Sequence, residues 1–365
     1  MHLLHKNQAE TVDSQNRKKI KVLIVSPCQG IYGGMEAFVL TLAQSLSQNL
    51  ALEVRLCFKR VKGFALQDNL QVMCQKSQVP FSFVDKGSIA LIQQIAWADI
   101  VHGQNTSPDV ILLARLLGKR VVLTIHNYWC KRGWGIYSAI WKVVANFAHL
   151  RLYNSNFVWQ TWEPHVKSHK SSRVPTVSQL PEGRLAINQR NGFVFLARWI
   201  QNKGIEVLVK AYAQANLDRR KWSLKLMGDG PLRADIENYI KQQKIDGIEI
   251  LGFVNDEKKA EVIRSSRWIV IPPHTKEDFG LTALEARNVG VPCIITRDGG
   301  LPEAAGRYSL SCEPNNVEQL AHLLEVAANM SEEEYKTLAN ASYQELKMYL
   351  KPISFYVEKY ESLLA

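Results

Sequence analysis

At 365 residues the chain has the length of a two-domain protein, and 46% hydrophobic with 22% charged residues excludes a disordered or fibrous chain. The formal net charge of +11 is unevenly placed: residues 1–188 hold 22 Lys+Arg against 10 Asp+Glu (+12), and residues 189–365 hold 23 against 24 (−1). The first half alone is basic, which implies an anionic partner there, either nucleic acid or an anionic membrane surface, with a merely solubilising surface as the competing reading.

The elements follow in chain order. Residues 1–19 are polar and read as a flexible tail. The apolar run Ile20 to Val25 is too short for the core of a signal peptide, and no uninterrupted run of about 18 apolar residues follows anywhere. KVLIVSP (21–27) reads as a buried strand, Gly30 to Gly34 as a loop and Met35 to Leu46 as a helix. Strands are then expected at 52–58, 81–84, 99–103, 120–126 and 151–155. SHKSSRVPTVSQLPEGRLAINQRNG (168–192) is polar with two prolines and two glycines, and reads as a linker. The alternation resumes at 192–197, 223–228, 248–253, 268–273 and 292–296. From Ser331 the chain reads as helix, broken at Pro352 and followed by a short amphipathic helix that could return to the first domain. Twice-repeated strand-helix alternation predicts an α/β protein of two doubly wound parallel sheets, with domains at 20–188 and 189–350 and a C-terminal helix at 351–365.

The six cysteines (28, 57, 74, 130, 293 and 312) form no CxxC pair and read as reduced thiols, which suits a cytoplasmic protein. No Asp-x-Asp, HExxH or cysteine metal spacing occurs, so neither a catalytic metal nor any other cofactor is expected.

The most informative stretch is HTKEDFGLTALEARNVGVPCIITRDGGLPE (274–303). Asp278-Phe279-Gly280 reads as the start of a helix whose apolar stripe begins with Leu281, Leu284 and Ala286. That leaves Glu277 in the loop and Glu285 about a turn and a half inside. Two such carboxylates can accept hydrogen bonds from one polyhydroxylated ligand, while backbone N–H groups at Phe279, Gly280 and Leu281 suit a phosphate. Two solvated glutamates on an ordinary helix is the alternative. Arg198 and Lys203 flank the first helix of the second half, where an arginine fork and a lysine point charge suit a diphosphate. Gly33-Gly34 lets the backbone approach a ligand, or simply makes a tight turn, and the GxGxxG dinucleotide pattern is missing. His126, and before it His102 and Gln104, close strands at the end where ligand-facing loops belong. The segment Tyr128 to Trp141 mixes aromatic and cationic side chains, which suits either a lipid-headgroup interface or a buried aromatic helix.

Taken together these residues resemble the retaining glycosyltransferases of family 4. The likeness rests on the E-x7-E pattern (Glu277, Glu285), the Gly33-Gly34 loop, the T-x-H strand end at His126, Arg198 with Lys203, and the MGDGPLR turn (227–233). It runs from about residue 20 to the C-terminus. The resemblance implies a GT-B architecture, two Rossmann-like domains facing across a cleft. It also implies metal-independent, retaining transfer from a nucleoside-diphosphate sugar to a glycan or glycolipid acceptor of the lipid-linked or lipopolysaccharide type. Glu285 would then bind the ribose, Glu277 the donor sugar, and Arg198 and Lys203 the diphosphate. Gly33-Gly34 would lie near the distal phosphate and His126 near the transferred sugar. VPTVSQ (174–179) and His102-Gly103-Gln104 depart from the usual pattern on the first-domain side. Asp256 and Lys259, one helical turn apart, could read guanine, so a GDP-sugar such as GDP-mannose is expected over a UDP-sugar. A helix-start aspartate beside a solvated lysine is the alternative. The enzyme would sit peripherally on the inner face of the cell membrane and would not bind nucleic acid. An epimerase or phosphorylase of the same architecture, and a basic nucleic-acid-binding module, are the competing functions.

Overall fold

The computed structural model describes residues 18–129, 135–174 and 183–365. The expected tail up to residue 17, Cys130 to Trp134 and the middle of the expected linker, 175–182, lie outside the described residues.

Two compact units emerge. The first combines Met1–Tyr153, Trp162–Ser178 and Lys351–Ala365, and the second Asn154–Thr161 and Gln179–Leu350. In chain order the first half contains β1 (Ile20–Cys28), α1 (Gly34–Ser47), β2 (Leu52–Arg60), α2 (Asp68–Lys76), β3 (Phe81–Val84), α3 (Ile89–Trp97) and β4 (Ile100–Gln104). It continues with α4 (Pro108–Leu116), β5 (Arg120–Ile125), α5 (Gly135–Ala145), β6 (Leu150–Tyr153), α6 (Asn156–Trp162) and β7 (Ser171–Arg173). The strands form one parallel sheet in the order β3-β2-β1-β4-β5-β6-β7. β1 is buried almost throughout, with Val22, Leu23, Ile24 and Val25 fully enclosed, as expected for a central parallel strand covered on both faces.

The second half runs β8 (Asn191–Leu196), α7 (Ile205–Gln214), β9 (Leu224–Met227), α8 (Arg233–Gln242), β10 (Ile248–Gly252), α9 (Asp256–Ser265) and β11 (Ser266–Ile271). Then come α10 (Leu281–Asn288), β12 (Cys293–Thr296), α11 (Leu301–Ala305), β13 (Leu310–Cys312), α12 (Val317–Asn329), α13 (Glu332–Tyr349) and α14 (Ser354–Leu364). Its parallel sheet has the order β10-β9-β8-β11-β12-β13. Both orders reverse beside the first strand of the sheet, between β1 and β4 and between β8 and β11, which is where doubly wound sheets open a crevice at the carboxyl ends of their strands.

Three findings refine the sequence reading. The final helix belongs to the first unit, because Tyr356, Val357 and Tyr360 are buried in the core that also contains Val22, Leu42 and Leu152. The second unit takes in Asn154–Thr161 and, among the described residues ahead of 189, residues 183–188. Ile187 packs against its core, and the buried Arg190 donates to the carbonyls of Leu185 and Val289, 2.9 Å each. Finally, β7 and β13 are short strands, three residues each, that join the sheet edges. β7 falls inside the expected linker. Among the described residues no helix is long and apolar enough to cross a membrane.

Candidate functional site

In the second unit, the chain leaves β8 through Arg198, exposed and with no side-chain partner among the described residues, and makes a 3-10 turn, Gln201–Lys203. Gly204 then starts α7 at φ 74°. A Cβ there would sit 1.8 Å from the carbonyl oxygen of Pro272, just beyond the end of β11, so only glycine lets the two loops of the switch point meet. His274 Nε2 lies 2.5 Å from the carbonyl oxygen of Gln201, and the His274 N–H donates to Asn202 O at 3.2 Å. The loops after β8 and β11 are thereby tied together.

That tie brings Lys203 to Glu277. Lys203 Nζ lies 2.5 Å from Glu277 Oε2, with both side chains largely buried. Glu277 stands on a segment held from behind by Asp298, whose two carboxylate oxygens accept the N–H groups of Lys276 and Glu277 at 2.8 Å each. The Gly300 N–H donates to Glu277 O at 2.7 Å. At Gly299 (φ 56°) a Cβ would come within 2.1 Å of that same oxygen. The Asp298-Gly299-Gly300 turn is therefore the backing of the Glu277 loop, a role the sequence pattern left unassigned, although an aspartate before two glycines signals a tight turn.

The helix start at Gly280 and Leu281 follows the expected pattern, with Ala283, Leu284 and Ala286 on the buried side of α10. Phe279 is different: its ring is buried in the core and stacks on Tyr349 with centroids 6.4 Å apart, so only its backbone can serve a ligand. Glu285, one side of α10, meets Lys259 at 3.1 Å, and Lys259 reaches Asp256 at 2.9 Å. Burial pushes the Glu285 carboxyl above its usual range and Lys259 pulls it back only in part. Lys259 is held above its usual value by Glu285 and Asp256 in spite of burial. Asp256 opens α9, whose cap is the Asn255 side chain accepting the Lys258 N–H at 2.8 Å. Lys259 is thus a bridge between two carboxylates rather than a solvated lysine.

In the first unit, Gly33 caps α1 with extended backbone, and Gly34 is the first residue of that helix. His126 directly follows β5. Its Nε2 lies 2.8 Å from Gln104 Oε1, Gln104 Nε2 lies 2.9 Å from His102 Nε2, and His102 Nδ1 lies 2.7 Å from the Tyr360 hydroxyl. Gln104 therefore requires a proton on Nε2 of His126 and none on Nε2 of His102. Burial drives both imidazoles down to about 3, with His126 contributing to the shift of His102, so both are neutral at ordinary pH. The links from α14 to His126 cross hundreds of residues of sequence and were not legible there.

A cavity of about 1180 Å³ opens in this unit at the carboxyl ends of β1, β2, β4 and β5. Lys59, Lys62 and Lys86 supply cations, Asn105 neutral polarity, and Trp129 and Trp141 flat apolar walls. Lys59 is bonded to Ser107 Oγ and Asp109 Oδ1, 2.6 Å each. Burial would raise the Asp109 carboxyl, but Lys59 and Ser107 hold it below its usual range. Trp129 and Trp141 each meet Trp162 edge-on, at 5.1 and 4.8 Å between centroids, and Trp141 Nε1 donates to Thr106 O at 3.0 Å. These indoles are built into the unit; residues 130–134 of the Tyr128 to Trp141 segment, and the side chains of 135–138 including that of Tyr137, lie outside the described residues.

The family model "Glycosyl transferases group 1" matches residues 180–345, and "Glycosyltransferase Family 4" matches residues 32–176. The chain belongs to the family 4-type GT-B glycosyltransferases. Among relatives of this glycosyltransferase, an uncharacterized glycosyltransferase of Methanocaldococcus jannaschii is 33% identical over 148 residues, 40% of each chain. A GDP-mannose-dependent alpha-(1-6)-phosphatidylinositol dimannoside mannosyltransferase of Mycobacterium tuberculosis is 30% identical over 131 residues, 36% of this chain and 32% of the relative. The matches thus span at most 40% of the length of these two curated relatives. The fold is shared with Anabaena HepE, solved with UDP and glucose, at TM-score 0.77 and 15% identity, covering 94% of this chain and 99% of that one.

Proposed function

We propose that this glycosyltransferase moves a hexosyl unit from a nucleoside-diphosphate sugar to a glycan acceptor, with retention of anomeric configuration and without a metal. The observation that carries the reading is the pair of charge clusters beyond the carboxyl ends of one sheet's strands, Lys203 with Glu277 and Lys259 with Glu285 and Asp256. Diphosphate oxygens call for Arg198 and Lys203, a sugar's hydroxyls for Glu277, and a ribose for Glu285. In the reaction the C1–O bond to the diphosphate breaks and a bond from the acceptor oxygen to C1 forms on the same face. The acceptor proton passes to the departing phosphate, whose growing charge the two cations stabilise. No protein base is needed, in keeping with His126 being neutral and protonated on the nitrogen that faces Gln104.

The donor we propose is a GDP-sugar such as GDP-mannose. Asp256 is a half-exposed carboxylate able to accept from guanine N1 and N2, and the mycobacterial relative is named for GDP-mannose. The acceptor is assigned to the cavity of the first unit, where tryptophan faces suit sugar rings and the lysines suit the anionic groups of a lipid-linked or lipopolysaccharide-type glycan. Calorimetry with GDP and UDP tests the base: tighter UDP binding rejects guanine. Incubation with a panel of nucleotide sugars in the presence of EDTA tests the rest. Transfer with the donor's anomeric configuration kept is expected, and full activity in Glu277→Ala would overturn the site.

A further inference from the structure

α14 carries two tyrosines four residues apart, Tyr356 and Tyr360, so both rings lie on one face of the helix. Both are buried in the core of the first unit against the ring of His102, at 5.9 and 5.8 Å between centroids. Their hydroxyls differ. The Tyr356 hydroxyl is buried with no hydrogen-bond partner among the described residues, whereas the Tyr360 hydroxyl lies 2.7 Å from His102 Nδ1, across 258 residues of sequence. Ring packing accounts for both positions, but only the Tyr360 hydroxyl has a polar task.

From Tyr360 the contacts run on toward the carboxyl ends of β4 and β5. His102 Nε2 accepts from the Gln104 amide at 2.9 Å and from the Thr124 hydroxyl at 2.7 Å, so the single proton of this neutral ring sits on Nδ1 and is donated to Tyr360 Oη. Gln104 is thereby held with its amide nitrogen toward His102 and its Oε1 toward His126, 2.8 Å from Nε2. His102, Gln104 and Thr124 are fully buried, so bulk water does not replace a missing partner. His126, neutral as well, then carries its proton on Nε2 and keeps a lone pair on Nδ1.

We infer that Tyr360 is a positioning residue for sugar transfer: its hydroxyl fixes, through His102 and Gln104, which nitrogen of His126 bears the proton. Without an acceptor at Tyr360 the buried His102 Nδ1–H is left unpaired, which is costly. The relief is a reversal of the whole chain. His102 moves its proton to Nε2, Gln104 turns its amide over to accept it, and the amide nitrogen then donates to His126 Nε2. His126 is left with its proton on Nδ1, and a hydroxyl that this nitrogen served as acceptor meets a donor instead. The kinetic consequence rests on the reaction proposed above, with His126 beside the transferred sugar; the tautomer does not.

Tyr360→Phe tests the inference, with Tyr356→Phe as the control that removes a hydroxyl from the same helix face. Long-range 1H–15N NMR of the histidine rings at neutral pH, with the His126 signals identified by their loss in His126→Gln, is expected to show Nε2–H in the wild type and in Tyr356→Phe, and Nδ1–H in Tyr360→Phe. Gln104→Glu, with an oxygen toward each ring, should keep Nε2–H on His126 both alone and combined with Tyr360→Phe. In transfer, Tyr360→Phe should have kcat about tenfold lower and a donor KM within about twofold of the wild type, because the nucleoside diphosphate is assigned to the second unit. Tyr356→Phe should match the wild type in both. A His126 that keeps Nε2–H in Tyr360→Phe, full transfer by that variant, or equal losses of kcat in the two Phe variants overturns the inference. A wild type that transfers no sugar refutes the proposed function, and the NMR comparison still decides the tautomer.

Discussion

At the scale of single residues, the charged groups of the second unit divide into those already engaged and those still available. Lys203 and Lys259 are matched to carboxylates, whereas Arg198 is exposed with no side-chain partner among the described residues. Removing it should leave stability nearly unchanged and weaken stabilisation of the departing diphosphate. Arg198→Ala is expected to lower kcat/KM by about a hundredfold, or about 3 kcal/mol, measured as product formation against donor concentration. Asp298 acts differently, through the Glu277 backbone. Asp298→Ala leaves two part-buried N–H groups without their carboxylate, and a charged hydrogen bond is worth about 1.5–3 kcal/mol. Both urea stability and kcat should fall, with Asp298→Asn between the two. Equal activity of Asp298→Ala and the wild type would remove Asp298 from the site. The contrast explains what was legible. Glu277, Glu285, Arg198 and Lys203 could be singled out by residue type and spacing, but Asp298 holds the Glu277 backbone through a loop contact that only the fold creates.

At the scale of elements, the central strands could be read directly because their apolar runs reflect burial on both faces: β1 holds the run Val22-Leu23-Ile24-Val25, β5 Val121-Val122-Leu123 and β11 Trp268-Ile269-Val270-Ile271. The edges could not. β7 is Ser-Ser-Arg and β13 is Leu-Ser-Cys, and neither has a pattern that separates strand from loop. The helix starts were clearer where a cap is present. Ser331 accepts the Glu334 N–H at 3.3 Å while Glu334 Oε2 accepts the Ser331 N–H at 3.1 Å. Ser331→Ala should destabilise α13 by about 1 kcal/mol, seen as a lower urea midpoint with donor affinity unchanged. The turn after β12 is less forgiving. Gly299→Ala adds a methyl that would overlap the Glu277 carbonyl at a φ that disfavours any side chain, so it should cost about 1–3 kcal/mol. Unlike Ser331→Ala, it should also impair transfer, because the overlap falls on the Glu277 loop.

At the scale of the whole molecule, two cores with separate titrating groups should respond to acid in opposite ways. His102, His126 and His149 all belong to the first unit, and burial lowers each, to about 3, 3 and 4. Their unfolded forms bind protons near pH 6.5, so the unfolded first unit takes up protons that the folded one refuses. Its stability is fully present above pH 6.5 and is lost as pH falls toward 4, at up to about 1.4 kcal/mol per pH unit for each of the two fully buried imidazoles, His102 and His126, and by less for the solvent-screened His149. Glu285 in the second unit has the other sign: its carboxyl is raised by burial, so its contribution is present below the unfolded value and lost as pH rises through the folded one. Scanning calorimetry between pH 7 and 5 should therefore move a first-unit transition to lower temperature without lowering a second-unit transition, which the Glu285 sign would hold or raise. A ligand that binds only the folded second unit raises only that transition, by an amount set by its concentration over its Kd. GDP without a sugar should do this, because the groups assigned to its ribose, diphosphate and base all lie between Arg198 and Glu285. Protection of the acid-sensitive transition alone would place the nucleotide in the first unit and reverse the assignment of donor and acceptor to the two halves of the chain.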